Sequence, residues 1–355
     1  MKTAEFVSPG HPDKIADQIS DRILDRALVE NPDCKVAIET LITGNESGGL
    51  VVLGGEMTET TYHEIKQTIP YLVKDVLEKN IRNSHKEFDL NKYTLSENIS
   101  PQSIEIRDAV VAKKGAGDQG IMIGFATNKT STLLPHEFDL AREIQMDLWE
   151  LQKYDYFYGL DSKVQVTENG GYTVVISVQT ELEKNEYEGK LVSLVENIIG
   201  PDFTLHVNPS GSFTKGGPAA DTGVTGRKIV VDSYGPTIPV GGGAFSGKDP
   251  SKVDRSGAYA ARHLAVNLVE HGMCEDALVR LSYGIGMENP IELSVAFNGT
   301  EKKRRASIEK FIQCFDFRPE AIIERLNLKQ VQYYKDSQFS HFGDRTRTWE
   351  QVDDI

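Results

Sequence analysis

The run Gly241-Gly242-Gly243-Ala244-Phe245-Ser246-Gly247-Lys248-Asp249-Pro250-Ser251-Lys252-Val253-Asp254-Arg255 sets a flexible glycine loop, two lysines and two carboxylates at a helix start. A metal-bound polyphosphate requires that combination. Asp249 suits the N-cap and Pro250 the first helical position, where no N–H is needed; Val253, Ala260, Leu264, Ala265 and Leu268 follow at helical spacing until a stop near Gly272. The unpaired N–H groups and partial positive charge of such a helix start would add to Lys248 and Lys252, and Asp254 belongs beside a polyanion only with a divalent metal between them. Gly242 to Lys248 also fits G-x-x-x-x-G-K, but Asp249 follows where a P-loop has Ser or Thr, and Pro236 and Pro239 interrupt the strand that would have to precede it. Taken alone, the loop would read as a glycine-rich turn before a surface helix with solvated lysines.

Gly10-His11-Pro12-Asp13-Lys14 opens the first helix in the same way, although plain capping accounts for Asp13 by itself. Gly115-Ala116-Gly117-Asp118-Gln119-Gly120 matches G-x-G-x-x-G, yet Ile121 to Phe125 after it reads as strand where a dinucleotide fold needs helix. Asn208 to Phe213 and Gly216-Gly217-Pro218 surround one aromatic with permissive backbone, which places Phe213 either on a base or in the core. Asp221 is followed by Gly226-Arg227-Lys228, two cations at an expected strand start. His63 and His136 each precede a Glu without a second His four residues on, so H-E-x-x-H is absent.

The elements that must position these residues fall into three blocks, 1–101, 113–216 and 217–355. The first has an amphipathic helix from Pro12 to Glu30, with Asp17, Asp21 and Asp25 on the side away from its apolar stripe. Strands Val36 to Ile42 and Leu50 to Leu53 follow around the turn Gly44 to Gly49, then a helix from Thr60 to Lys79. Residues Glu97 to Lys114 read as a long surface loop, and Ser100 to Lys114 as a mobile lid carrying Gln102. The second block has a strand at Ile121 to Ala126, a helix at Phe138 to Gln152, a hairpin of Lys163 to Thr167 with Tyr172 to Gln179, a helix at Lys190 to Ile199 and a strand at Phe203 to Val207. The third has a strand at Arg227 to Val231, the glycine loop and its helix, strands Leu278 to Ile285 and Ile291 to Phe297, and helices Ala306 to Phe315 and Pro319 to Leu326. Frequent hairpins favour α+β layers over a doubly wound parallel sheet.

Composition bounds the function. A chain of 355 residues exceeds one small core, and 39% hydrophobic with 26% charged residues describes a soluble globular protein. A formal charge of −14 excludes a nucleic-acid surface, so a phosphate site must be a local basic pocket for a small ligand. No run approaches the roughly 20 apolar residues of a membrane span, and the N-terminus lacks a signal peptide's apolar core, so a cytoplasmic location is expected. Cys34, Cys274 and Cys314 lie far apart, as reduced thiols do.

Three stretches together carry a resemblance: Ser8 to Lys14, Gly115 to Gly120, and Gly241 to Arg255. From Phe6 to about Trp349 the chain resembles the S-adenosylmethionine synthetase (methionine adenosyltransferase) family, whose signature stretches are the last two. The resemblance implies an α+β fold of three similar, interleaved domains about a pseudo-threefold axis, and an active site between two subunits of a homodimer that pairs further into a homotetramer. It implies ATP and L-methionine as substrates, with neither nucleic acid nor membrane as partner, and two Mg²⁺ and a K⁺ as cofactors. Methionine sulfur would attack the 5′ carbon of ATP, and the displaced triphosphate would then be cut to pyrophosphate and phosphate. By the same resemblance His11 is the donor at the 5′ oxygen, Asp13 and Asp254 bind Mg²⁺, and Glu39 binds K⁺. Lys163, Arg227, Lys228 and Lys248 hold the polyphosphate, while Lys252, Glu56, Gln102 and Asp221 lie on the methionine side. Asp118, Asp161, Ser212, Phe213, Asp221 and Ala244 match nucleotide contacts.

The chain departs from the family in a longer turn at Asn45 to Gly49, a shorter loop after Gln102, and Ile104 where the pattern has proline. A phosphotransferase would need a base beside an acceptor hydroxyl, which the sequence does not offer. A non-catalytic nucleotide binder should lack some of the charged residues, and all are present.

Overall fold

The first strand of each sequence block pairs outside its own block. The computed structural model describes residues 2–45, 47–82, 89–102 and 115–355. Its strands are β1 (Lys2–Val7), β2 (Val36–Asn45), β3 (Gly48–Met57), β4 (Tyr93–Pro101), β5 (Gly120–Thr127), β6 (Tyr158–Glu168), β7 (Tyr172–Thr180), β8 (Phe203–Val207), β9 (Gly223–Val224), β10 (Asp276–Tyr283) and β11 (Glu292–Ala296). They form three sheets, ordered β4-β3-β2-β9, β1-β6-β7-β8 and β11-β10-β5. β1 runs antiparallel to β6 from Lys2↔Glu168 to Val7↔Lys163, β5 to β10 from Gly120↔Tyr283 to Thr127↔Asp276, and β9 to β2 at Leu41↔Val224 and Ile42↔Gly223. The exchange runs in one cyclic order, the connectivity that three similar interleaved units call for. The fold is α+β.

Each sheet is covered by helices on one face. On β2 the buried residues Val36, Ile38, Thr40 and Ile42 alternate with Ala37, Glu39, Leu41 and Thr43, which are half-buried or exposed, and the Pro12–Glu30 helix packs against this strand. The Val253–Glu270 helix lies on β5 and β10 and is buried at every position from Val253 to Val269. It comes so close to β5 that a Cβ at Gly124 would meet the Ala261 carbonyl group at 2.1 Å. Its polar side is buried as well: Arg262 grips Glu350 at 2.9 and 2.7 Å and donates to the Thr132 and Leu133 carbonyls, while Trp349 stacks on Tyr259 with ring centres 4.0 Å apart. The C-terminal segment therefore closes the core from the side opposite the sheet.

Several local expectations need correction. The glycine-loop helix begins at Val253 with Lys252 at its N-cap, because both Asp249 oxygens are engaged elsewhere, with the Val36, Ser251 and Lys252 nitrogens. Arg227 to Val231 is not a strand: β9 is only Gly223–Val224, and Ile229–Asp232 is a helical turn. Residues 97 to 101 belong to β4, paired parallel with β3, so the expected loop from Glu97 is strand at its start. The single helix expected at 60–79 is two, Glu59–Ile65 and Ile69–Asn80, the second with Pro70 in its first turn. β2 and β3 reach further into their turn than expected, to Asn45 and from Gly48. The proposed lid, apart from Ser100, Pro101 and Gln102, and the departure at Ile104 lie outside the described residues.

Candidate active site

Asp13, Asp17, Asp21 and Asp25 recur every four residues and so share one stripe of the Pro12–Glu30 helix. Such a stripe reads as a solvated face, but here the four carboxylates grip three other segments of the chain. Asp13 accepts the Val224 N–H at 2.9 Å and Asp17 the Gly226 N–H at 2.8 Å. Asp21 accepts the Gly247 N–H at 2.8 Å and a two-pronged contact from Arg255 at 2.9 and 2.6 Å, and Asp25 accepts the Tyr333 and Tyr334 N–H groups at 2.7 and 3.0 Å. One helix thereby fixes the Gly226-Arg227-Lys228 turn, the glycine loop and the C-terminal segment. Asp13, Asp17 and Asp21 are paired with Lys228, Lys14 and Arg255, which offsets the burial of their charges, whereas Asp25 has only the two N–H groups.

His11 caps this helix. Its Nδ1 accepts the Asp13 N–H at 3.2 Å, which leaves Nε2 to carry the ring proton as a donor. Burial, with the charges of Lys228 and Lys163 adding and that of Asp13 opposing, pushes its pKa down to about 3, so the imidazole is neutral. Ser8, in the turn before it, donates to the Leu160 carbonyl at 2.7 Å and accepts the Ser162 N–H at 3.0 Å, tying the turn to the end of β6 where Asp161 and Lys163 stand. Asp161 takes the Gly217 N–H at 2.9 Å and, buried, is pushed up to about 6. The Thr180 N–H donates to the Phe213 carbonyl at 2.9 Å, so Phe213 and exposed Ser212 run along the end of β7. Lys228 reaches Asp13 at 2.6 Å and Arg227 lies 3.7 Å from it, while Asp221, exposed, is close enough for its charge to act on Asp161. These residues form one group.

A second group surrounds the glycine loop. The Ile38 N–H donates to the Gly247 carbonyl at 3.0 Å and the Asp249 N–H to the Val36 carbonyl at 3.1 Å, so the loop lies along the edge of β2 that β9 occupies further on. Gly247 has φ of +80° and a Cβ there would meet the Ile38 carbonyl at 2.0 Å, which makes glycine obligatory. Lys248 reaches Asp254 at 2.5 Å, Asp254 also takes the Gly243 N–H at 3.1 Å, and Lys252 reaches Asp249 at 2.8 Å. Lys248, Ala37, Glu56 and Ser100 are successive partners across the sheet, which puts Lys248 and Glu56 on one face, with Glu39 exposed two residues from Ala37. Gln102 donates its N–H to the Met57 carbonyl at 3.3 Å, at the same end. Asp118 is exposed on the Gly115–Gly120 turn, which abuts the helix start through Gly117 at Ser251.

The two groups meet where Gly226 packs on Ala244. Among the described residues, no hydrogen bond or ion pair joins Lys248, Lys252 or Asp254 to His11, Asp13, Lys163, Arg227 or Lys228. No cluster of three or more metal-ligating side chains exists among them either. Asp13 and Asp254 each offer a single carboxylate beside cations, the donor set of Mg²⁺ held by one or two carboxylates plus substrate phosphates, so these residues fit that ion.

The three S-adenosylmethionine synthetase domain families match in order: the N-terminal domain at residues 1–104, the central domain at 113–213 and the C-terminal domain at 215–351. This chain belongs to the S-adenosylmethionine synthetase family. It is 40% identical to the S-adenosylmethionine synthase of Salinibacter ruber over 375 aligned positions, covering 99% of this chain and 95% of the relative. It is equally 40% identical to the synthases of Petrotoga mobilis and Corynebacterium urealyticum, over 99% of this chain and 96% of each.

Lys14, Asp17, Asp21, Asp232 and Arg255 hold the site's segments together, a task their sequence context alone does not assign. The available signal was the four-residue period of acids on a helix whose apolar stripe was already complete. No helix of the described residues is long and apolar enough to cross a membrane.

Proposed function

We propose that this chain is a methionine adenosyltransferase, joining L-methionine to ATP as S-adenosylmethionine and then hydrolysing the bound triphosphate to pyrophosphate and phosphate. The observation that carries the reading is the neutral, Nδ1-anchored His11, whose Nε2–H is a fixed donor among Lys163, Arg227 and Lys228. In the reaction a sulfur lone pair forms the S–C5′ bond, the C5′–O5′ bond breaks, and the oxygen leaves with its electron pair as part of the triphosphate. A thioether attacking carbon needs no base, so the protein's work is alignment and stabilising charge on the leaving oxygen. His11 donates to that oxygen; Lys163, Arg227, Lys228 and Lys248 hold the phosphate chain; Asp161, Ser212, Phe213, Asp221, Ala244 and Asp118 contact the nucleoside. Glu56, Gln102, Asp221 and Lys252 receive methionine, a reading supported by the common end of the sheet that Glu56, Gln102 and Lys252 occupy.

Two Mg²⁺, held by Asp13 and Asp254, would supply electrostatic stabilisation of the polyphosphate. K⁺ at exposed Glu39 completes the proposed cofactors. We place the complete site between two copies of the chain, in a homodimer that pairs into a tetramer. That no hydrogen bond or ion pair joins the two groups among the described residues supports this, as do the uncovered sheet face at Ala37, Glu39 and Leu41 and the exposed Ile121, Ile285 and Met287. The test is incubation with ATP, methionine, Mg²⁺ and K⁺ and identification of products by mass. S-adenosylmethionine with pyrophosphate and phosphate is expected; ADP would overturn the reading.

A further inference from the structure

Lys14 follows Asp13 in the first turn of the Pro12–Glu30 helix and is wholly buried, so its ammonium group cannot reach a substrate. Its Nζ donates to Asp232 Oδ1 at 2.6 Å and lies 3.3 Å from Asp17 Oδ2. Those carboxylates flank one short turn. Asp17 accepts the Gly226 N–H at 2.8 Å, and Asp232 gives its own N–H to the Lys228 carbonyl at 2.8 Å, closing the helical turn that follows. Arg227 and Lys228 lie between these two anchors. We infer that Lys14 is a positioning residue: by binding Asp17 and Asp232 together it fixes the turn carrying Arg227 and Lys228 against the helix start carrying His11 and Asp13. The inference deepens the function proposed above and rests on it.

The surroundings show why the link is strong. Lys14 Nζ has both carboxylates within ion-pair reach, at 2.6 and 3.3 Å, and all three side chains are buried from water. Asp21 does not compete for it, being held by Arg255 at 2.9 and 2.6 Å. On the far side the His341 N–H donates to the Asp232 carbonyl at 3.1 Å, so the helical turn is also fixed to the C-terminal segment. With that side immobile, Lys14 sets the distance between the turn and Asp13. A substrate-facing cation on a short turn is sensitive to this, since a displacement of about 1 Å costs on the order of 100-fold in rate.

The test is Lys14→Met, assayed as folded protein with MgATP and methionine varied separately. The KM for MgATP should rise about tenfold and kcat fall on the order of 100-fold, with the KM for methionine changed by less than about twofold, because Glu56, Gln102 and Lys252 are held elsewhere and Asp221, before both anchors, is tied by its own N–H to the Gly217 carbonyl at 3.2 Å. Hydrolysis of added tripolyphosphate should fall as well, and Lys14→Arg should recover much of both activities. A merely structural role would lower the melting temperature and leave these constants unchanged in the folded fraction. If Lys14→Met does not fold, Lys14→Met with Asp232→Asn removes the cation together with one of its two carboxylates and should show the same split. Either folded variant with MgATP constants within about twofold of wild type, or with the methionine KM raised as much as that for MgATP, overturns the inference. A wild-type protein that forms no S-adenosylmethionine would count against the function instead.

Discussion

Lys228 Nζ and Asp13 Oδ2 lie 2.6 Å apart, so the cation assigned to the polyphosphate is held by the carboxylate assigned to the metal. Lys248 and Asp254 repeat the arrangement at 2.5 Å. On the roles proposed above, binding of a metal-bound nucleotide would be an exchange of partners, each lysine turning to phosphate as its carboxylate turned to Mg²⁺. Such an exchange would leave each buried carboxylate and half-buried lysine with a counter-charge.

Replacing either carboxylate separates the two halves of this exchange. In Asp13→Asn or Asp254→Asn the lysine is free for phosphate but the metal ligand is lost, and S-adenosylmethionine formation should fall about 100-fold or more while circular dichroism stays that of the wild type. The assay is turnover against Mg²⁺ concentration. Near-normal turnover at ordinary Mg²⁺ removes that residue from the metal site.

If the site is shared between two copies, two inactive variants should rescue each other. In a dimer of His11→Asn with Lys248→Met, one site receives both defects and the other receives neither. Mixing equal amounts under conditions that exchange subunits should therefore restore about a quarter of wild-type activity, because half the dimers are mixed and each has one sound site. Mixtures no more active than the separate variants would place both residues in a site built by one chain.

The helix Pro12–Glu30 and the strand Phe203–Val207 were legible to the residue, because their caps, stripes and turn signals are local. Glu168 to Gly171 announced its hairpin for the same reason, with Gly170 at φ of +69°. What escaped is non-local. β9 has two residues and exists only because Leu41 and Ile42 pair with it, and β1 carries no mark that its partner lies at Lys163 to Glu168. Asp17 and Asp21 lie on the side away from the apolar stripe, and a sequence does not show that Gly226, Gly247 and Arg255 come to cover them. His11, Arg227, Lys228 and Lys248 stand beside glycines or prolines that mark tight loops locally, while Lys163 has no such neighbour and was reached only through the family resemblance; Asp17 and Asp21, which hold two of those loops in place, have no such neighbours either.

Asp25 provides a pH test of this buried stripe. Burial, with the Asp21 charge adding and the Tyr334 and Tyr333 N–H groups opposing, pushes its pKa up to about 7 from an ordinary 3.8. Between those values the folded chain keeps a proton that the unfolded chain has released. The contribution to stability is therefore full below about pH 4 and is lost as the pH rises through 7. Denaturant unfolding of wild type and Asp25→Asn should show a stability difference that shifts by on the order of 1–3 kcal/mol between pH 4 and 8, the wild type losing more. A difference that does not change with pH would mean that Asp25 titrates normally.

Bond making is proposed at the 5′ carbon, with His11, Lys163, Arg227, Lys228 and Lys248 receiving an intact triphosphate. ATP labelled with ¹⁸O at the bridging 5′ oxygen, incubated with the protein, methionine, Mg²⁺ and K⁺, tests it most directly. The label should leave in the pyrophosphate and phosphate fraction, with none in any adenosyl product, and His11→Asn should slow its release about 100- to 1,000-fold. Label retained on an adenosine-containing product would mean that phosphorus is attacked, and would contradict the account.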